Sequence, residues 1–385
     1  MKLSLIYGLL LKSYYLKINN KGDVFYIEPL SIYDKLSKFL IFDKNGFIIL
    51  NEKGYNKGVN YVYEENFYFI REKNEYVEIN SELNFTTLIE KSEMHTSSRF
   101  NLYSIYIDKY SYETSNQLET PAIKYIYKRD ELIWKYEKFG TIEIFSDRYA
   151  LCFTDSDPII DKRTRNQFLL LDLYGKTELW HFNLNDDLPK LHSTQPFDHP
   201  HKVGKPLGIY HDQLWFEMDN YGLMCLHKDT GELLHYLRDL PYATGETYRG
   251  MVRAKGHAVI PYTDEAILLH DEGKIVCFAI FYYWELDLST MKITYHYLKE
   301  YFEEVQCYTF GARFKPLQTD GDLIYMVDTQ HKKIGIFNRK TLRYDHIETL
   351  PDGSGAPRSI EKHGDRLYVD TFGKKLLVYQ IDAVI

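Results

Sequence analysis

The pattern that decides the fold reads LHKDTGEL at residues 226–233, LDLSTMKI at 286–293 and FNRKTLRY at 337–344. A looser copy, LDLYGKTELW, occupies residues 171–180. The threonine at the fifth position of the three close copies recurs after 60 and then 51 residues. Each copy places two apolar segments around a turn rich in Asp, Thr, Gly and Lys, which indicates a β-hairpin.

A second strand signal precedes these hairpins at a regular distance. It reads SDRYAL at 146–151, HDQLWF at 211–216, GDLIYM at 321–326 and GDRLYV at 364–369. One unit therefore holds about four strands in about 50 residues, which is the period of propeller blades. The segments lack the amphipathic spacing of helical repeats. We predict an all-β fold, a single β-propeller of about seven four-stranded blades in one domain, residues 1–385, with six or eight blades left open.

The end of the chain predicts how the ring closes. DTFGKKLLVY at 370–379 matches DTQHKKIGIF at 328–337, and the earlier copy is followed by a further outer strand, Leu342 to Ile347. The last copy has no room for such a strand before Ile385. Because an open sheet edge is usually covered, we expect residues near Lys2 to Gly8 to supply the missing strand.

The hairpin copies resemble the quinoprotein-type (PQQ-like) propeller repeat, which reads roughly Leu-Asp-x-x-Thr-Gly-Lys-x-x-Trp. The resemblance covers roughly the last 240 residues. Trp180 supplies the closing tryptophan of that repeat, and His235, Tyr295 and His346 stand near the corresponding places in other copies. Nothing in the chain matches a quinone-binding set of residues, so the resemblance implies a fold and no cofactor.

Composition narrows the classes of function. The 385 residues carry a net charge of −8 with a pI of about 6.0, which argues against a general nucleic-acid binder. No apolar run approaches the ~20 residues of a membrane-spanning helix. The four cysteines form no CxxC pair, which disfavours a thiolate zinc site and is typical of a reduced, cytoplasmic protein.

Loops that interrupt the repeat are the expected binding surface, because connections on a rigid scaffold commonly carry function. Six arginines in these predicted loops are our candidate binding residues for an acidic protein segment or another anionic group. They are Arg163, Arg165, Arg249, Arg253, Arg313 and Arg358. Scattered surface charge is the alternative interpretation.

A cluster of histidines is the candidate metal site. His192, His199 and His201 lie close together in sequence, and imidazole ligands at this spacing suit zinc or a similar ion. Exposed loop histidines are the alternative. Asp155 and Asp157 have part of a calcium-loop spacing, but Pro158 and the missing Gly and Glu break that pattern.

These observations favour a non-enzymatic protein-binding propeller, monomeric by itself, without a nucleic-acid or membrane partner. A bacterial intracellular partner that neutralises a toxin or effector is the narrower hypothesis. The alternative is a metal-dependent hydrolase or lyase acting on a carbohydrate or lactone at the central channel, with the loop histidines and acids as its site. No nucleophile elbow, P-loop, dinucleotide fingerprint or HExxH helix occurs in the sequence.

Overall fold

A computed structural model of the chain describes most of the strands and the shorter turns. The described residues are 2–10, 16–29, 36–55, 61–63, 66–71, 75–80, 82–90, 94–100, 103–108, 123–128, 131–138, 140–154, 165–188, 203–218, 222–237, 266–279, 281–307 and 318–382. The chain divides into two compact units. Unit 1 contains Met1–Ser92 and Leu298–Ile385, and unit 2 contains Glu93–Tyr297.

The described residues in the first part of unit 1 form nine strands. They are β1 (Lys2–Leu10), β2 (Leu16–Ile18), β3 (Val24–Pro29), β4 (Leu36–Phe42), β5 (Ile48–Tyr55), β6 (Tyr61–Tyr63), β7 (Asn66–Arg71), β8 (Glu75–Ile79) and β9 (Phe85–Glu90). Strands β2 to β5 form one antiparallel four-stranded sheet in sequence order, and β6 to β9 form a second.

Unit 2 contains sixteen strands in the part of the chain that is described. They are β10 (Met94–Phe100), β11 (Tyr103–Asp108), β12 (Lys124–Lys128), β13 (Glu131–Tyr136), β14 (Thr141–Ile144), β15 (Tyr149–Phe153), β16 (Gln167–Asp172), β17 (Thr177–Asn183), β18 (Lys205–Tyr210), β19 (Gln213–Glu217), β20 (Leu223–His227), β21 (Leu233–Leu237), β22 (Ile267–Leu269), β23 (Lys274–Ala279), β24 (Tyr282–Asp287) and β25 (Lys292–Tyr297). Each consecutive group of four forms one sheet. Helix α1 (Leu184–Asp187) and a 3-10 helix (His270–Glu272) also belong to this unit.

The chain then returns to unit 1. Helix α2 (Lys299–Val305) is followed by β26 (Gln318–Asp320), β27 (Leu323–Asp328), β28 (Lys333–Asn338), β29 (Arg343–Thr349), β30 (Pro357–His363), β31 (Arg366–Thr371) and β32 (Lys375–Asp382). Strands β26 to β29 form one sheet. The last sheet has the order β1-β32-β31-β30, so its outer strand comes from the start of the chain.

That last sheet confirms the predicted closing strand. β1 pairs antiparallel with β32 from Lys2 opposite Asp382 to Leu10 opposite Lys375. The register shifts between Leu5 and Tyr7, so Ile6 forms a bulge. The described residues contain eight four-stranded sheets, one more than the best estimate of seven and within the range left open. That residues 1–385 act as a single domain stays a prediction.

The repeated hairpins form because a side chain caps each turn. The Asp287 carboxylate accepts the backbone N–H groups of Ser289 at 3.0 Å and Thr290 at 2.9 Å. The Asn338 side chain oxygen accepts those of Lys340 and Thr341 at 3.0 and 3.3 Å. Such local bonds favour a turn over a continued strand.

A hydrogen bond between two backbone groups also connects neighbouring turns of one sheet. It recurs in both units. In four sheets the residue at the start of the hairpin turn donates its N–H to a carbonyl in the turn between the first two strands, and in the last sheet Ile381, near the end of β32, makes the equivalent bond. The pairs are Leu173 to Arg148 (2.8 Å), Lys228 to Asp212 (2.8 Å), Leu288 to Gly273 (2.9 Å), Arg339 to Asp322 (2.8 Å) and Ile381 to Asp365 (2.8 Å). The sequence repeat is therefore also a repeat of hydrogen bonding.

In each unit, one described contact between neighbouring sheets places an aromatic ring on a glycine. In unit 2, Trp180 of β17 covers Gly231, where a Cβ atom would lie 2.6 Å from the indole. In unit 1, Tyr7 of β1 covers Gly46, where a Cβ atom would lie 3.1 Å from the ring. Both rings follow a bulge in an outer strand and contact the last hairpin turn of the next sheet. The two contacts occupy equivalent positions in the repeat.

The strands that lie second and third in each sheet supply the core. All five residues of β15 are buried, as are five of the six in β16 and in β31. The four cysteines are unbonded to each other and buried in these strands or beside them. Among the described residues, no helix is long and apolar enough to cross a membrane.

Candidate functional site

Sheet topology separates two kinds of connection. In a four-stranded meander, the connection between the second and third strands leaves from the same end as the connection to the next sheet. We call this the long-connection end, and the opposite one the tight end. In unit 2, long-connection segments span residues 109–123, 154–166, 184–204 and 238–266, whereas the longest between described strands at the tight end spans only 228–232.

In strand order, every candidate site residue falls in a segment that joins strands at the long-connection end, or at the start of the strand that follows one. Arg163 falls between β15 and β16, Arg249 and Arg253 between β21 and β22, and Arg313 between β25 and β26. These four lie outside the described residues, as do His192, His199, His201, Asp155 and Asp157. Their roles stay predictions. The structure describes two of the six arginines, Arg165 in unit 2 and Arg358 in unit 1.

Arg165 precedes β16 and joins two neighbouring sheets of unit 2. One guanidinium nitrogen donates to the Gly204 carbonyl at 2.6 Å, and another donates to the Glu143 carboxylate at 2.9 Å. The guanidinium carbon also lies 4.7 Å from the centre of the Phe153 ring. The side chain keeps a fifth of its surface exposed. These contacts make Arg165 a support of the long-connection end.

Gly204 shows how tightly that support is built. A Cβ atom on Gly204 would lie 1.6 Å from a carboxylate oxygen of Glu217, which is buried at the end of β19. No other residue fits there without moving the glutamate. The Arg165 guanidinium therefore bonds a backbone that is itself fixed by the neighbouring sheet.

Arg358 lies in strand β30, although the sequence placed it in a loop. Its Nε donates to the Asp370 carboxylate at 2.6 Å, and a second nitrogen donates to the same oxygen. Asp370 is buried at the end of β31, next to the buried Thr371. A buried carboxylate needs such a partner, because an unpaired buried charge is costly. Arg358 thus supports the sheet from within, with about a fifth of its side chain exposed.

Asp328 at the end of β27 occupies the corresponding place in the preceding sheet. It is fully buried and accepts the N–H groups of Gln330 at 2.8 Å and His331 at 3.0 Å. The His331 ring Nδ1 lies 2.8 Å from its other oxygen. The sequence analysis aligned this aspartate with Asp370 but did not single out the histidine. The available signal was the DTxxK pattern, which occurs both at the end of β27 and at the end of β31.

Unit 2 contains a buried lysine among its described residues. Lys124, at the start of β12, donates to the Lys138 carbonyl at 2.7 Å. Burial lowers its pKa to about 8. The adjacent Cys152 thiol has a raised pKa, again because of burial. A buried thiol of that kind is unreactive, and Lys124 is too enclosed to meet a macromolecular partner.

No metal cluster can be assigned among the described residues, where no three His, Cys, Asp or Glu side chains stand close enough to hold an ion. The three candidate histidines are outside that part of the chain. The metal site at these histidines therefore stays a prediction.

Comparison with known proteins identifies the architecture. No protein-family model matches the chain, and no curated protein matches it. Among solved structures, BamB from Moraxella catarrhalis matches over 98% of this chain and 100% of its own, with a TM-score of 0.50 and 10% identity. Sqt1 from Saccharomyces cerevisiae matches over 98% of both chains, with a TM-score of 0.56 and 8% identity. Both are β-propellers.

The chain is a β-propeller. Its four-stranded sheets are the blades, and β1 completes the blade that also contains β30 to β32. At 8 to 10% identity the likeness shows the fold alone. Function has to be argued from the residues at the ends of the blades.

Proposed function

We propose that this propeller is a non-enzymatic binding protein that holds another protein at the long-connection end of its blades. One observation carries the proposal. In the order of the described strands, the long connections join strands at that end. All six candidate arginines fall in these connections or at the start of the strand that follows one, while the turns described at the opposite end are short. Arginine forms charge-assisted, bidentate bonds with carboxylates and is frequent at the centres of protein interfaces.

The six arginines divide into two roles under this proposal. Arg165 and Arg358 support the surface, since each bonds a carboxylate of its own unit. Arg163, Arg249, Arg253 and Arg313 are the proposed contacts with an acidic segment of the partner. Because Arg165 and Arg358 already bond groups of their own units, ordering these two side chains should cost little conformational entropy when a partner binds.

The narrower proposal is a cytoplasmic bacterial protein that binds and neutralises a toxin or effector. The net charge of −8 and four cysteines that form no disulfide are consistent with that compartment. We also propose that the blades belong to the quinoprotein type of repeat. The contact of Trp180 with Gly231 supports this, since it joins the two residues that give the sequence pattern its Trp and Gly.

Affinity purification from the source cells, followed by mass spectrometry and metal analysis, tests the proposal. We expect one stoichiometric protein partner. A triple variant, Arg163→Ala with Arg249→Ala and Arg313→Ala, should then weaken binding of that purified partner at least about tenfold, since each lost charge-assisted bond is worth about 1.5–3 kcal/mol.

The chain offers a control of equal charge at the tight end. Lys44, Lys176 and Lys340 are exposed residues of hairpin turns, and their triple alanine variant removes the same three positive charges. Equal weakening by both triples would show a general charge effect and contradict a site at the long-connection end. No partner together with a bound divalent ion would favour the hydrolase or lyase alternative.

A further inference from the structure

Two turns of unit 1 carry the same sequence pattern at the long-connection end of neighbouring blades. One reads DTQHKK at residues 328–333, between β27 and β28, and the other reads DTFGKK at 370–375, between β31 and β32. Lys332 and Lys374 hold the same position in the two turns, with a φ of +56° at both. Both lysines are exposed, so the two blades present this side chain in the same way.

The connection between these blades, residues 350–356, joins the two turns. At its start, Leu350 donates its N–H to the Lys332 carbonyl at 2.9 Å. At its end, the Ala356 carbonyl accepts the N–H of Phe372 at 2.9 Å. Backbone bonds therefore hold both turns against one short segment. We call the two turns and this connection the paired-turn surface.

Phe372 lies on the paired-turn surface beside two glycines. A Cβ atom on Gly373 would lie 2.2 Å from the Ser354 carbonyl oxygen, and one on Gly355 would lie 2.4 Å from the Gly373 nitrogen. The connection and the turn thus meet backbone to backbone, and neither glycine has a side chain that could cover the ring. Phe372 keeps 44% of its surface exposed.

The charge of the paired-turn surface is opposite to that of the whole chain. Four lysines and one exposed acid, Asp352, belong to it, whereas the chain carries a net charge of −8. The other two carboxylates, those of Asp328 and Asp370, are buried and bonded to a histidine and an arginine. A positive surface on an acidic protein favours a negatively charged ligand.

We propose that the paired-turn surface binds an acidic segment of the partner protein, with a large apolar side chain of that segment packed on Phe372. Carboxylates of the segment then lie beside Lys332 and Lys374. Aromatic rings are enriched in protein interfaces, and charges at the rim set specificity and the rate of association. The inference rests on the proposed function, because this surface is part of the long-connection end. It adds the apolar group of the segment and the residues of unit 1 that receive it.

A labelled peptide of Asp and Glu residues around a single Trp is the probe, and fluorescence anisotropy measures its binding to the full chain. Asn tolerates the left-handed backbone of both lysines, so Asn variants remove a charge without straining the turns. We expect Lys332→Asn and Lys374→Asn each to weaken binding about threefold, and Phe372→Ala about tenfold. A peptide with Ser in place of Trp should bind about tenfold less tightly and be insensitive to Phe372→Ala.

The matched control is a turn of unit 2 at the tight end with the same order of residue types. It reads DLYGKT at residues 172–177, against DTFGKK at 370–375. Tyr174 is 57% exposed, and Lys176 is exposed with a φ of +52°. Tyr174→Ala and Lys176→Asn therefore remove the same kinds of side chain from the same kind of turn. Both variants should bind the peptide as the native chain does.

Salt separates the two parts of the contact. At about 1 M salt the effects of the lysine variants should disappear, because charges are then screened within a few ångströms. The effect of Phe372→Ala should remain, since it comes from apolar packing.

Three results would overturn the inference. They are a peptide that does not bind, tight-end variants that weaken binding as much as Phe372→Ala does, and a single-stranded oligonucleotide of equal charge that binds as tightly. The proposed function is judged separately, by the arginine triple variant and the purified partner. If that triple weakens binding of the partner while Phe372→Ala and both Asn variants bind it as the native chain does, the inference alone is wrong.

Discussion

Trp180 in unit 2 and Tyr7 in unit 1 hold equivalent positions and bond differently. Each follows a bulge in the outer strand of a blade and covers a glycine of positive φ, +72° at Gly231 and +86° at Gly46. The Trp180 indole N–H donates to the Lys228 carbonyl at 2.8 Å. The Tyr7 hydroxyl is buried and has no hydrogen-bond partner among the described residues.

Neighbouring side chains supply the polar contacts that Tyr7 lacks. Arg366 donates to the Lys44 carbonyl and, at 3.0 Å, to the Asn45 side chain oxygen. The Tyr368 hydroxyl donates to the Gly22 carbonyl at 2.7 Å. Both come from β31, two strands away from β1. Unit 2 thus uses one ring for packing and hydrogen bonding, whereas the closing blade divides these functions among three side chains.

The largest expected effect comes from Trp180. Replacing it with alanine removes both the packing on Gly231 and the bond to Lys228, so Trp180→Ala should lower the free energy of unfolding by about 3–5 kcal/mol. Tyr7→Ala should cost about 2 kcal/mol less than Trp180→Ala, because the smaller, unbonded ring contributes only packing. Denaturant unfolding measures both. Equal losses of unfolding free energy in the two variants would contradict the difference in hydrogen bonding between Trp180 and Tyr7.

The same variants test whether residues 1–385 behave as one domain. Trp180 belongs to unit 2 and Tyr7 to unit 1. If the chain unfolds as one cooperative unit, scanning calorimetry should show a single transition that either substitution moves to a lower temperature. Two transitions, each moved by only one of the substitutions, would separate the units and contradict the single-domain prediction.

The two glycines give a smaller and more selective comparison. Alanine at Gly231 must adopt a positive φ and would bring its Cβ to 2.6 Å from the indole, so we expect a loss of about 2–3 kcal/mol. Gly46→Ala meets the Tyr7 ring at 3.1 Å and should lose about 1–2 kcal/mol.

Gly321 provides the matched control. Its φ is +56°, and a Cβ atom there would have no neighbour within 4 Å. Gly321→Ala should therefore lower the free energy of unfolding by about 1 kcal/mol, from the backbone conformation alone. Equal losses of stability for Gly231→Ala and Gly321→Ala in thermal or denaturant unfolding would show that the indole moves aside without cost. The close packing of Trp180 on Gly231 would then contribute little to stability.

The sequence predicted the architecture where the hairpins carry a local signal. Capped turns such as Asp287 with Ser289 and Thr290 depend on neighbours in sequence, so they could be recognised there. The eighth blade was harder, because the first blades use turns without the Thr pattern. One is the turn in which Asp43 accepts the N–H groups of Asn45 and Phe47.

The roles of individual site residues were less predictable, because they depend on distant partners. Whether Arg165 contacts a partner stays a prediction, and its bonds to Glu143 and Gly204 depend on the register of two blades. Arg358 was placed in a predicted loop from Pro351 to His363, whereas Pro357–His363 is strand β30. The equivalence of Tyr7 with Trp180 could not be inferred either, since it follows from the bulge in the pairing of β1 with β32.

The smallest expected effect concerns a single group, the Tyr7 hydroxyl, and therefore separates Tyr7 from Trp180 most directly. Burial raises the pKa of Tyr7 to about 12, partly offset by Arg366. The folded protein therefore holds this proton more tightly than the unfolded chain, whose tyrosines titrate near pH 10. The stability that Tyr7 contributes is complete below pH 10 and is lost as the pH rises towards 12, by at most about 1.4 kcal/mol per pH unit.

Tyr7→Phe should remove that part of the alkaline loss. At neutral pH the variant should match or exceed the native chain by up to about 1 kcal/mol, since an unbonded buried hydroxyl is itself unfavourable. Trp180→Phe is the contrasting substitution, expected to lose about 1–2 kcal/mol because the bond to Lys228 disappears. Denaturant unfolding at pH 7 and at pH 11 measures both. A Tyr7→Phe loss as large as that of Trp180→Phe would show that the hydroxyl is bonded in solution, and that the closing blade docks as Trp180 does.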